Sequence, residues 1–250
     1  MTVVLSTLLL FVAGAVASAI NAVAGGGTLL AFPVQLALGA TPLQANATSS
    51  AALWLGGLAS ALGYSEQFQK ARSHLRVLLI PSGLGSLLGA WLLTQTSERV
   101  FERVVPLLVL VATVLLAAQP YLKPKEPSRR IPAWLGALLQ FAICVYGGYF
   151  GAAMGILMLA LMGLFVEGDL HQLNAIKSWL SVLVNVVATG AFLYQGLVQL
   201  RPMLALGAGA LVGGYLTART VQKVPPGRVR VVVVGLGFVL SGWCFWRAFH

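Results

Sequence analysis

Asn21-Ala22-Val23-Ala24-Gly25-Gly26-Gly27-Thr28-Leu29-Leu30-Ala31-Phe32-Pro33 lies within the first 65 residues of the chain, none of which is Asp, Glu, Lys, Arg or His. A bilayer is spanned by ~20 apolar residues, so the flanks of this run read as membrane helix. Three successive glycines, each about 1 kcal/mol worse than alanine in a helix, predict a break between them. A broken helix in lipid bares backbone N–H and C=O groups, which is tolerated only against protein or a water-filled cavity. The stretch therefore decides two things together: the chain is a membrane protein, and one of its helices is interrupted where a polar site can be built.

Composition agrees with the first point. Of 250 residues, 58% are hydrophobic and 9% charged, and the mean hydropathy is +0.88. A soluble domain carries about 25% charge. Residues 131–166 form a second run without a charge or histidine. The net charge of +10 does not indicate nucleic acid, because the basic residues flank the apolar blocks, where they face headgroups. The apolar N-terminus lacks the basic region of a cleaved signal peptide and reads as retained. Cys144 and Cys244 lie inside apolar blocks as small hydrophobes, and Trp91, Trp134, Trp243 and Trp246 lie near block ends as interfacial anchors.

Uncharged blocks fall at 3–24, 28–39, 43–64, 77–95, 104–121, 132–152, 155–166, 178–195, 203–218 and 231–249. One polar, proline-containing linker, 123–131, divides them into a first repeat, 1–122, and a second, 132–250. The halves match without gaps at an offset of 128: Ala24, Gly27, Gln44, Asn46, Ala47 and Ser50 fall on Ala152, Gly155, Gln172, Asn174, Ala175 and Ser178. After a shift of four, Gly83, Gly85 and Gly89 fall on Gly207, Gly209 and Gly213. Matching Gly, Gln, Asn and Ser in register points to duplication.

Loop charge sets the topology. If the first two blocks of each half make a single crossing, the repeats are parallel and the loop charges divide nine to six. If they fold back, eleven Lys and Arg lie on one side, linker included, and four on the other. The second division is the stronger positive-inside bias. As a helix, 28–39 would rise about 18 Å, too little for a ~30 Å core. The expected fold is an all-α polytopic membrane protein of two inverted repeats. Each is a Gly-broken re-entrant hairpin plus three transmembrane helices, with the linker cytoplasmic and both termini outside the cytoplasm.

The candidate solute-binding residues come from both halves. The first supplies Asn21, Gly25, Gly26, Gly27, Thr28, Asn46, Thr48, Ser49 and Ser50; the second supplies Gly151, Gly155, Asn174, Lys177 and Ser178. Thr28 would open a helix whose free N–H groups and positive dipole end attract an anion. Gly26 is expected to let backbone approach the solute, so that Gly26→Leu fills that space. Glycine clusters also serve close helix packing, and the hydroxyls and amides could instead bond between helices. Lys177 is the only charge placed within a helix. It either faces a cavity or snorkels to the interface.

No Asp or Glu falls in a helix interior, so a carboxylate proton relay or cation site is not expected. His74, His171 and His250 form no metal cluster, and no nucleophile–base pair suggests an enzyme. No cofactor or metal is expected; the partners are a small anionic substrate and the lipid bilayer.

The run Asn21–Pro33, followed by Pro42 and Asn46-Ala47-Thr48-Ser49-Ser50, resembles the TauE/SafE sulfite exporter family. Gly147-Gly148-Tyr149-Phe150-Gly151-Ala152-Ala153-Met154-Gly155-Ile156-Leu157, followed by Asn174 to Ser178, is similar to that family's second copy. Where the family has Gly-Thr-Ser after the hairpin, this chain has Ala47-Thr48-Ser49 and Ala175-Ile176-Lys177. The resemblance implies transport of sulfite, sulfonates or related sulfur oxyanions across the cytoplasmic membrane; export is expected because an inside-negative potential favours anion exit. From the residues alone, a carrier of another small solute (a carboxylate or a metal ion) or a non-transport assembly protein stays open. Costly paired helix breaks argue against the scaffold.

Overall fold

The computed structural model describes residues 3–23, 26–63, 65–122, 131–164, 170–220 and 226–249. Among them the chain is entirely helical: α1 (Val3–Val23), α2 (Thr28–Ala37), α3 (Pro42–Gly63), α4 (Ser65–Gln95), α5 (Glu98–Leu122), α6 (Ala133–Tyr149), α7 (Met154–Met162), α8 (Leu170–Tyr194), α9 (Leu200–Thr220) and α10 (Pro226–Phe249). Each uncharged block has become one helix. Several are longer than their blocks; α4 begins at Ser65 where the apolar run begins at Val77. Apolarity marks the part that meets lipid, whereas a helix continues through charged residues into water.

Among the described residues, five helical stretches are long and apolar enough to cross a membrane: Val3–Ala22, Val77–Gln95, Glu98–Tyr121, Gln172–Tyr194 and Gly227–Arg247. The expected three full spans per half are thus met only in part by length and apolarity. The reason is clear for α3, where Asn46, Thr48, Ser49, Ser50 and Ser60 are all buried. It packs against α8 and α9, so its polar residues answer to protein. The outer surface carries large apolar side chains, with Val4 77%, Ile80 70% and Val239 73% exposed. In water such surface would associate; here its solvent is lipid.

Both short helices follow breaks. Gly26 has φ +100°, and its N–H is accepted by Asn21 Oδ1 at 3.2 Å. Beyond it the chain doubles back, and Gly27 lies so close to the carbonyl of Ala17 that no Cβ would fit. In the second half Gly151 has φ +76° and Ala153 has φ +61°. Tyr146 Oη donates to Ala152 O across that bend at 2.7 Å. A left-handed alanine costs roughly 1–2 kcal/mol, and such strain collects at functional sites. With 10 and 9 residues, α2 and α7 rise only about 15 Å each.

Packing between the halves has a two-fold pattern. The main pairs are α1–α9 with α4–α6, α3–α9 with α4–α8, α5–α10, and α3–α8; replacing each helix by the one five places along returns the same set. The closest approaches repeat too. Gly209 and Gly213 of α9 lie on the carbonyls of Phe11 and Ala15 in α1, as Gly85 and Gly89 of α4 lie on those of Phe141 and Val145 in α6. Small residues that bring backbones together are how membrane helices associate.

Candidate functional site

A cavity of about 70 Å³ opens where the two breaks approach α3 and α8. At roughly 10–15 Å³ per water-sized position, it has room for about five such positions. From the first half it takes Asn21 of α1 and Thr28, the first residue of α2. From the second it takes Gly151 and, at the start of α7, Met154 and Gly155. Two short helices therefore direct their N-terminal ends at one space. Ser50 on α3 and Ser178 on α8, the register-matched pair of the sequence, line it from either side, and Lys177 joins them.

Among the described residues, Lys177 is the only Lys, Arg, Asp or Glu that lines the cavity. Its Nζ donates to Asn174 Oδ1 at 3.1 Å, and its aliphatic stem lies against Gly155, where an added Cβ would come within 3.3 Å of Cδ. Ser178 Oγ donates to Asn174 O at 2.8 Å, so its proton reaches a solute only when the hydroxyl turns away from that carbonyl. Asn174 thus stands behind the lining and orients two members of it.

The other expected residues are placed differently. Gly25 lies outside the described residues. Gly26 is turned toward Leu116, 3.3 Å from where its Cβ would be, and Gly27 toward α1; neither lines the cavity. Asn46 Nδ2 donates to Tyr149 O at 2.9 Å, tying α3 to the end of α6. Thr48 Oγ1 accepts from Gln199 N at 3.0 Å, and Ser49 Oγ accepts from Gln35 Nε2 at 2.7 Å. Consecutive helical residues point about 100° apart, so Thr48, Ser49 and Ser50 cannot share one face. Asn46 is 0% exposed, and removing one partner of a buried hydrogen bond costs about 1–3 kcal/mol. Asn46→Ala should therefore lower stability by that amount, read as thermal unfolding in detergent.

Sequence reasoning missed Ser18, Ser60, Ser181 and Asn185, all of which line the cavity. A signal existed for two of them. Ser178, Ser181 and Asn185 recur at i, i+3 and i+7, the spacing of one helix face. Ser18 had no such mark; it lies against Gly56, where no Cβ would fit.

A polar cavity at paired helix breaks, inside a multi-pass helical protein whose outer surface suits lipid, is the construction of a membrane transporter. The family model described as "Sulfite exporter TauE/SafE" matches residues 10–243. The chain belongs to that family, and it is a transporter, not an enzyme. Among its relatives is a "Probable membrane transporter protein" of Haemophilus influenzae, 26% identical over 234 residues, covering 93% of this chain and 92% of the relative. Another, of Sinorhizobium sp, is 28% identical over 212 residues, 84% of this chain and 81% of its own. "Probable membrane transporter protein YfcA" of Escherichia coli is 24% identical, with 93% and 87% covered. No solved structure matches this chain.

Proposed function

We propose that the protein carries a small sulfur oxyanion, such as sulfite or a small sulfonate, out of the cell through the cavity between the two breaks. The observation that carries this reading is the convergence of Lys177 with two helix N-termini and several hydroxyls, with no carboxylate among the described residues of the lining. Helix N-termini and an ammonium stabilise negative charge; hydroxyls add donors without adding charge. A metal ion is favoured less, since among the described residues no three His, Cys, Asp or Glu side chains come together.

The repeats are read as inverted. The paired packing of α1–α9 and α4–α6 supports duplication, and the loop charges support opposite orientation with both termini outside. In that arrangement α1–α2 and α6–α7 are re-entrant hairpins entering from opposite faces, and their tips meet near the midplane. The protein resides in the cytoplasmic membrane.

The test is flux from proteoliposomes across a panel of sulfite, thiosulfate, small sulfonates, carboxylates and inorganic cations. Sulfur oxyanions should move fastest and compete with one another. Faster movement of a carboxylate or cation would overturn the assignment. Ser50→Ala and Ser178→Ala should each weaken apparent affinity for the best anion about tenfold, since a hydrogen bond to a charged group contributes about 1.5–3 kcal/mol and part of it is replaced by water.

A further inference from the structure

A second cavity, of about 130 Å³, is lined by Ser6, Leu10, Gln35, Leu38, Gln199 and Pro202. Two helices, α1 and α2, run between it and the first in the same order, and α9 runs from it into the apolar cluster that separates them. On α1, Ser6 and Leu10 border the second cavity, Ala13 and Ala17 are buried in an apolar cluster, and Ser18 and Asn21 border the first. On α2, Gln35 is followed in the same direction by Ala31 in that cluster and Thr28 at the first cavity. On α9, Pro202 is followed by Leu206 and Ala210. Ala52 and Leu53 of α3 complete the seal. Seven or eight helical residues separate the cavities, about 10 Å.

The seal is built to part. Its members are mostly alanines, which interlock little. The corresponding cluster of the other half contains the longer side chains Met154, Met158, Met162, Ile176 and Leu180. Pro33 lies inside α2 between the seal residue Ala31 and Gln35. It has no N–H for the carbonyl of Leu29, a ready place for the helix to bend. Gln35 fastens the far end. It is 1% exposed, and its Nε2 donates to Ser49 Oγ at 2.7 Å and Ala45 O at 3.2 Å. Its Oε1 is buried without a partner. Bending at Pro33 would carry Gln35 away from Ser49 and Ala45 and break both bonds. By contrast α1 and α9 are locked through Gly209 and Gly213, and Gly27 pins the start of α2 to Ala17 of α1. That leaves the part of α2 beyond Pro33, where Val34 and Leu38 pack against the seal, as the segment free to move.

We propose that the second cavity is a transit station for the anion held in the first, and that α2, hinged at Pro33 and latched by Gln35 to Ser49, is the gate between them. This rests on the transport reading of the first cavity. Gln199 Nε2 donates to Gln44 Oε1 at 2.9 Å and Ser6 Oγ to Val3 O at 2.9 Å, so a partly hydrated small anion there would meet the second amide N–H of Gln199 and, once it turns, the Ser6 hydroxyl.

The test reports on the gate without needing the solute. In a background lacking Cys144 and Cys244, cysteines are placed singly at Ala52 in the seal and at Gln199 in the second cavity. A membrane-impermeant anionic methanethiosulfonate is then applied from the N-terminal side. Gln199→Cys should react readily, and Ala52→Cys slowly. Adding Gln35→Ala should accelerate labelling of Ala52→Cys at least tenfold while leaving Gln199→Cys within twofold. If Gln35→Ala does not fold, Gln35→Asn, one methylene shorter, serves with the same outcomes. An Ala52→Cys rate indifferent to Gln35, or a Gln199→Cys that never reacts, would overturn the gate. Failure of sulfite flux with the labelling pattern intact would instead remove the substrate assignment.

Discussion

Lys177→Ala should weaken binding of the transported anion by one to two orders of magnitude while the protein still folds. Lys177 lines the cavity as a partly buried residue, and its Nζ donates to the neutral Oδ1 of Asn174. Its charge is therefore available to a solute. A hydrogen bond to a charged group contributes about 1.5–3 kcal/mol, or roughly ten- to hundredfold by the tenfold-per-1.4 kcal/mol rule. Lys177→Gln should fall between wild type and alanine, because an amide donates without charge. Titration of purified protein with sulfite measures both, with thermal unfolding as the check on folding. If Lys177→Ala binds sulfite as tightly as wild type, the lysine only snorkels, and the anion reading loses its one formal charge.

The second large effect is expected at Gly27. Leucine there would drive its Cβ into the carbonyl of Ala17 and against Asn21. Neither backbone can yield as a flexible side chain would, and overpacking costs about 1–3 kcal/mol or more. The least expensive response is for α2 to lift off α1, which separates Thr28 from Asn21 and dissolves one side of the cavity. Transport should fall more than a hundredfold, with the protein still inserted in the membrane and helical by circular dichroism. The expectation at Gly26 changes in cause: its φ of +100° strains any side chain, but leucine there would meet Leu116, not the solute. Gly26→Leu should therefore impair transport through a distorted bend. Normal flux from Gly27→Leu would show that the close approach of α2 to α1 is dispensable.

The breaks were legible because the chemistry of glycine in lipid admits few readings, and the second break could be placed by register with the first. Ser50 and Ser178 were legible as a matched pair. Residues on either side of Ser50 were not. Thr48 and Ser49 look equivalent to it in a list of polar residues, yet which face of α3 meets the cavity depends on the neighbouring helices. Asn46 and Asn174 occupy matched positions and do different work: one ties α3 to the end of α6, the other holds Lys177. That divergence follows from having lysine in one copy and Ser49 in the other. Helix ends such as that of α4 were misjudged because hydropathy registers the lipid boundary and not the end of hydrogen bonding.

The missing carboxylate has a mechanistic consequence. Among the described residues no Asp or Glu lines the cavity, so no carboxylate there is available to bind a coupling proton or sodium ion. An inside-negative potential already favours anion exit by about 2.3 kcal/mol per charge per 100 mV, roughly a fortyfold gradient. The protein is accordingly proposed to work as an electrogenic uniporter. The direct test is sulfite efflux from proteoliposomes under an imposed potassium diffusion potential, with proton and sodium gradients set separately. Uniport predicts efflux that accelerates with inside-negative potential and ignores either ion gradient; efflux that ignores the potential and follows an imposed proton or sodium gradient would contradict it.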